Sequence, residues 1–323
     1  MTTATTTIQP TTAGRLRDWA RPHSALLALT AVLLILCVIT ASRSDVFLTV
    51  DNLRNVFLQV AVLSIAAAGT TMLMVAGGID LSIGAAMSLV GVSAATFMQS
   101  GMGLLPALGL AALIGMGIGA VNGTLAAYST NHPFIITLGM AIVLQGLAIA
   151  VTGGSPISSI DEALVDFGAG RFLGIPKPVW TAVLVLVVVA IVLRFTVFGR
   201  RLYALGGSEQ ATRLAGVPVR RLKVVLYAAN GLIVAIAAIV LMSRIASAQP
   251  LMGNGYELQA IAAVAVGGTP LAGGRGGIAG TILGVLLLGV ISNSLNLLGV
   301  SGAYQYVFQG LVIVVAVMSQ RSR

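Results

Sequence analysis

The chain has 323 residues, 57% of them hydrophobic and only 8% charged, with a mean hydropathy of +1.01. Soluble domains carry about a quarter charged residues; this chain has too few to cover a water-facing surface, so it belongs in a bilayer as a helical bundle. Its apolar runs are long and continuous, which disfavours a β-barrel, its single cysteine, Cys37, excludes an internal disulfide framework, and no His/Cys cluster has metal-ligand spacing.

Residues 1–23 are threonine-rich and then basic (Arg15, Arg17, Arg21), and read as a flexible cytoplasmic tail. The run that follows, 24–41, is too long for a signal peptide and has no small-residue cleavage site. A spanning helix needs roughly 20 apolar residues. By that measure the spans are 24–41, 53–76, 81–98, 103–127, 133–152, 178–197, 224–245, 257–273, 276–297 and 303–319, about ten in all. The eighth is broken by Gly267, Gly268 and Pro270, and either re-enters the membrane or joins the ninth through a sharp turn. Residues 24–323 therefore form a single all-α transmembrane domain.

Basic residues accumulate on the cytoplasmic side of membranes. With both termini inside, Arg15, Arg17, Arg21, Arg194, Arg275, Arg321, Arg323 and the basic residues of 199–223 fall on one face, against Arg43, Arg54, Arg171, Lys177 and Arg244 on the other. Most acids lie outside. Topology thus accounts for the net charge of +9, and no nucleic-acid partner is required.

The segment 199–223 carries Arg200, Arg201, Arg213, Arg220, Arg221 and Lys223. Within it, Ser208 to Ala215 reads as a short helix. Ser208 caps its start, Glu209 suits the positive end of its dipole, Gly216 closes it in a left-handed conformation, and Pro218 stops it. On the residues alone this is either a handle for a cytoplasmic partner or a solvated loop whose charges fix topology. On the outer side, Gly153–Lys177 and Ala246–Glu257 are either docking surfaces or plain connections.

Spans two to five and seven to ten have opposite directions, as in an inverted repeat. Gly115, Gly119 and Gly123 echo Gly276, Gly280 and Gly284, and Gln145-Gly146-Leu147 echoes Gln309-Gly310-Leu311. Such glycine stripes serve helix packing. Asp80, in Gly77–Ser82, is either a helix cap or an intramembrane functional acid. The amides Asn122, Gln145, Asn230, Asn293, Asn296, Gln305 and Gln309 lie within spans and need partners; Asn122, Asn293, Asn296 and Gln305 are taken as lining a polar path. No charged residue is expected at mid-span, which speaks against an ion-driven pump. No nucleophile–base pair or metal cluster can be placed at one depth, so no catalytic residue, metal or cofactor is expected. The phosphate-cradling GxxxxGK[ST] loop does not occur, so any ATP must be held by another chain.

Several blocks carry a family resemblance: GGIDLSIGA (77–85), NHPFIITLGM (131–140), GGSPI (153–157), FGRRLYALGGSEQATRLAGV (198–217), SAQPLMGNGYEL (247–258), the stretch 262–300, and YQ (304–305). Together they resemble the permease subunit of bacterial ABC importers for monosaccharides of the ribose/xylose/galactose type, and look most like ribose permeases. The resemblance covers nearly the whole chain beyond about residue 24. It implies a multi-pass inner-membrane protein that imports a monosaccharide without being an enzyme itself. The implied partners are two cytoplasmic ATP-binding subunits, an extracytoplasmic sugar-binding protein, and a second permease copy or paralogue in the lipid bilayer. Glu209, Ala211, Arg213 and Gly216 match the segment that couples to the ATPase, and the outer loops become seats for the binding protein. The alternative is a self-contained secondary sugar carrier.

Overall fold

A computed structural model describes residues 12–129 and 132–319. It contains helices α1 (Thr12–Arg43), α2 (Val50–Val75), α3 (Ile83–Gln99), α4 (Leu104–Tyr128), α5 (Pro133–Thr152), α6 (Glu162–Ala169), α7 (Lys177–Phe195), α8 (Val197–Gly207), α9 (Glu209–Leu214), α10 (Val219–Ile245), α11 (Tyr256–Val266), α12 (Ile278–Leu297) and α13 (Gly302–Ser319). A two-stranded antiparallel hairpin, β1 (Arg171–Phe172) and β2 (Ile175–Pro176), follows α6.

Among the described residues, 7 helices are long and apolar enough to cross a membrane: α1, α2, α4, α5, α7, α10 and α12. The expected count of about ten is therefore not reached by length, although each expected span coincides with a helix. The shortfall lies partly in α3 and α11, with 17 and 11 residues, because the chain is unwound just before α3 and just after α11, from Gly267 on. Helix α1 begins at Thr12, inside the stretch expected as a tail.

Helix α2 is the core, buried through nearly its whole second half and beyond, from Val60 to Val75. Helices α4, α5 and α7 are apolar all round yet largely unburied, exposing residues such as Leu113, Ile142 and Leu184. An exposed face of that character is a lipid face.

The helix pairings support the inverted repeat. The contacts α3–α4, α3–α5, α4–α5, α10–α3 and α10–α4 recur as α11–α12, α11–α13, α12–α13, α2–α11 and α2–α12. The glycine stripes are not equivalent under that exchange. Gly115, Gly119 and Gly123 bring α4 against α10, where a Cβ would collide with Gly231, Tyr227 or Val224. Gly280 and Gly284 bring α12 against Gly267 and Ala263 at the end of α11, and Gly276 lies against Thr269. The sequence echo therefore marks a shared need for close approach, not symmetry.

Polar pins hold α12 to its neighbours. Asn52 and Asn293 exchange amide hydrogen bonds of 3.0 and 2.8 Å, the hydroxyls of Thr71 and Thr281 lie 2.7 Å apart, and those of Thr40 and Ser294 lie 2.8 Å apart.

Candidate functional site

The cytoplasmic segment folds as the sequence dictates. Ser208 is the N-cap of α9, its hydroxyl accepting from Ala211 N at 3.2 Å. Gly216 stands at φ +79° just past the helix end, the left-handed conformation that glycine adopts without steric cost. Glu209 bridges two cations, with Arg213 Nη2 at 2.9 Å on one carboxylate oxygen and Lys223 Nζ at 2.8 Å on the other. The hydrogen bond from Lys223 leads the effects that hold its carboxyl below the usual carboxylate range. Of the expected coupling residues, Glu209 and Arg213 are thus in direct contact, Ala211 is exposed one turn along, and Gly216 ends the helix. The sequence reading missed α8 and the apolar tip of α9, Leu214, which is 81% exposed.

Helix α8 ties this segment to the membrane core. A Cβ on Gly206 would collide with the carbonyl oxygen of Val75, the last residue of α2, and with Gly274 N. Gly274 N in turn donates to Val75 O at 2.8 Å, and the Tyr203 hydroxyl donates to Gly276 O at 2.9 Å. Gly273 packs against Gly77. The two glycine-rich breaks, 77–84 and 267–274, therefore meet, with α8 wedged onto both.

The first break is fastened on its other side. Asp80 Oδ1 accepts from Ser82 N at 2.9 Å and Ser82 Oγ at 2.6 Å, while Asp80 Oδ2 accepts from Asn230 Nδ2 of α10 at 3.2 Å. Asn122 of α4 donates to Ser82 Oγ at 2.7 Å, Tyr227 of α10 to Ile79 O at 3.0 Å, and Leu81 N to Thr137 Oγ1 of α5 at 3.1 Å. Ser82, not Asp80, is the N-cap residue of α3. Asp80 both organises that start and cross-links it to the bundle.

A third break, between α10 and α11, dips inward. Its residues 246–257 were expected on the outer face. Instead Gly253 packs against Gly84, and its amide donates to Ser88 Oγ of α3 at 3.0 Å. Nearby on α3, Val90 adjoins the contact of Gly115 with Ala235 in the second half of α10, so Gly253 lies deep in the bundle. Glu257 Oε2 is buried there without a hydrogen-bond partner among the described residues. The expectation of no charged residue at mid-span did not foresee the buried carboxylate oxygen of Glu257, whereas Asp80 is the buried acid that the sequence already marks.

A cavity of ≈ 390 Å³ opens beside this break, lined by Gln59 and Val60 of α2, Arg244 of α10, Asn254, Gln259 of α11, and Ser292 and Asn296 of α12. Of the four residues taken as path-lining, Asn296 borders it, and Gln305 donates to Asn296 Oδ1 at 2.8 Å. Asn122 and Asn293 do not border it; they act as the cross-links above. Gln309's side chain lies outside the described residues. Gln59 and Gln259 were missed because an isolated amide in an apolar run does not reveal which way it faces, and Asn254 because its polar segment reads as an outer connection. Among the described residues, no group of three or more His, Cys, Asp and Glu is placed to hold a metal ion.

On the outer side, the segment after α5 and the start of the α10–α11 break are joined. Ile157 and Ala248 exchange backbone hydrogen bonds of 2.8 Å in both directions. Helix α6, capped by Asp161, lies against α10 through Gly168.

A family model described as the permease component of a branched-chain amino acid transport system matches residues 52–317. The chain is 42% identical over 306 residues to the ribose import permease protein of Escherichia coli K12, covering 94% of each chain. It is 44% identical over 293 residues to the ribose import permease protein of Bacillus subtilis 168, covering 90% of this chain and 91% of that one. It is 36% identical over 296 residues to the L-arabinose transport system permease protein of E. coli K12, covering 92% and 89%. No solved structure matches. With seven membrane-length helices among its described residues and a match over most of its length, the chain is a multi-pass inner-membrane protein and belongs to this family of transport-system permease components.

Proposed function

We propose that the chain is the membrane-spanning subunit of an ATP-driven importer that passes a monosaccharide, ribose or a sugar like it, into the cytoplasm. The sugar class is supported by the relatives, whose names specify ribose and L-arabinose. A separate ATP-hydrolysing subunit docks on α9. Two such permeases, identical or paralogous, line one pathway with two ATP-binding subunits beneath, and an extracytoplasmic sugar-binding protein seats on the joined outer segments. The family and the relatives' names do not favour a self-contained carrier.

The observation that carries this reading is the setting of α9. It presents Gln210, Ala211, Leu214 and Ala215 to solvent, an uncharged face suited to docking. Its start is held by Glu209 between Arg213 and Lys223, and the preceding helix reaches the breaks of α2–α3 and α11–α12 through Gly206. A push on α9 is thus delivered to packed backbone, which shifts between discrete arrangements instead of deforming.

The test is co-purification of the tagged chain from native membranes, with and without Glu209→Lys. That substitution puts a third cation beside Arg213 and Lys223. An ATPase should accompany the parent chain and be lost from the variant, with membrane insertion unchanged. An ATPase retained by both refutes Glu209 as a docking element, and an ATPase absent from both refutes the importer reading.

A further inference from the structure

We propose that the ≈ 390 Å³ cavity between α2, α10, α11 and α12 is a binding subsite for an uncharged polyol within the permease itself, contacted by Gln59, Asn254, Gln259, Ser292 and Asn296. This rests on the importer reading above, which names a sugar as cargo but assigns it no contact in this chain.

The chemistry of the lining carries the proposal. Four amides and a hydroxyl converge on a space flanked by apolar helices. An amide moved out of water without a partner costs at least about 1–3 kcal/mol, so such a concentration is stable only where it meets water or a ligand. Within the lining, Gln59 Nε2 donates to Ser292 Oγ at 3.1 Å, and Asn296 Oδ1 is occupied by Gln305. That leaves the Gln59 carbonyl, the Ser292 hydrogen and the Asn296 amino group facing the cavity. The side-chain amides of Asn254 and Gln259 hydrogen-bond to no other described residue. Amides offer donors and acceptors side by side, as a sugar hydroxyl does. Arg244, the one charged lining residue, adds a fork of donors that fits adjacent hydroxyls.

The location carries it further. Irregular backbone at membrane depth is tolerated where it is packed in protein or lines a cavity. In inverted-repeat transporters such breaks build the site near the midplane. Here the α10–α11 break descends to Gly253, and the next residue, Asn254, faces the cavity. On the opposite wall Gly289 packs so closely on Val60 that a Cβ would collide with it, which keeps α12 and α2 together and holds Gln59 against Ser292.

The experiment uses the complete importer in proteoliposomes, in a Cys37→Ser background. Gln259→Cys and Asn296→Cys are probed from outside with a charged, water-soluble thiol reagent, with and without ribose, arabinose and a panel of pentoses and hexoses. Both positions should label, and at least one sugar should slow labelling severalfold. In parallel, Gln259→Leu should retain stimulation of the ATPase by loaded binding protein while uptake per ATP falls about tenfold. Absence of labelling overturns the proposal, as does labelling that no sugar slows or a Gln259→Leu variant that transports like the parent. If the parent importer moves neither ribose nor arabinose, the sugar named above is wrong, and labelling with protection by the wider panel still decides the subsite.

Discussion

Asp80 is buried with 4% exposure and accepts hydrogen bonds from Ser82 N, Ser82 Oγ and Asn230 Nδ2. Asp80→Asn keeps its shape but replaces one acceptor oxygen with an amino group that meets a donor. The expected result is a loss of about 1–3 kcal/mol, read by unfolding in detergent, and partial recovery in the exchange Asp80→Asn with Asn230→Asp, which restores a carboxylate to the pair. An exchange no better than the single variant would mean that the pair is not what the carboxylate serves. Glu209 behaves differently, because it is half exposed and its ion pairs are each worth about 0.2–1 kcal/mol. Its carboxyl lies below the ordinary range, so its contribution is full above the ordinary carboxylate pKa and disappears only as pH falls through the depressed one. ATPase retention by the parent should therefore be flat from pH 8 to about 5, while Glu209→Gln weakens it already at neutral pH. Retention that declines steadily across that range would assign the pH dependence to another group.

At the scale of elements, the short α9 was legible in full, because its cap, its first-turn acid and its closing glycine are local signals that tertiary contacts do not override. The start and end of α3 were legible to within two residues, because Gly77–Ser82 punctuates the chain; the extent of α11 was not. Apolar composition continues through Gly267–Ala272, so hydropathy alone runs a span across that break, and only contacts distant in sequence show the chain unwinding. The same holds for Glu257, which follows a polar segment and so reads as outer, yet is carried inward by a turn packed on Gly84. The glycine junction was likewise hidden, since Gly77, Gly206 and Gly273 are far apart in the chain. Its role is open to test. Gly206→Val drives a branched side chain into the Val75 carbonyl and Gly274 N, an overpacking worth about 1–3 kcal/mol. If the junction transmits motion, the variant should still co-purify with its ATPase and hydrolyse ATP, but uptake per ATP should fall about tenfold, with Gly206→Ala intermediate. Equal loss of hydrolysis and uptake would make the junction merely structural.

At the scale of the molecule, the two glycine-rich breaks meet toward the inner side of the membrane, and the α10–α11 break enters from the outer side. The inner breaks are fastened to α8 and the coupling segment; the outer break begins at the Ile157–Ala248 pair and ends beside the polar cavity. A partner seated outside would therefore bear on the same segment that lines the cavity, just as an ATPase seated on α9 bears on the inner breaks. Two variants separate this mechanical link from the seat itself. Ala248→Pro removes the amide that donates to Ile157 O, because proline has no N–H, and frees the outer break from the α6 side. Leu173→Asp alters the hairpin tip, which is 78% exposed at φ +52°, a left-handed position that aspartate tolerates. Stimulation of the ATPase by loaded binding protein is the readout, with basal hydrolysis as the internal control. Leu173→Asp should weaken stimulation severalfold through a higher half-saturating concentration of binding protein, since it touches only the surface. Ala248→Pro should lower maximal stimulation at unchanged half-saturation, since the seat remains while its connection to the break is cut. If both variants are stimulated like the parent, the joined outer segments neither receive the binding protein nor carry its signal, and the seat must be sought elsewhere on the outer face.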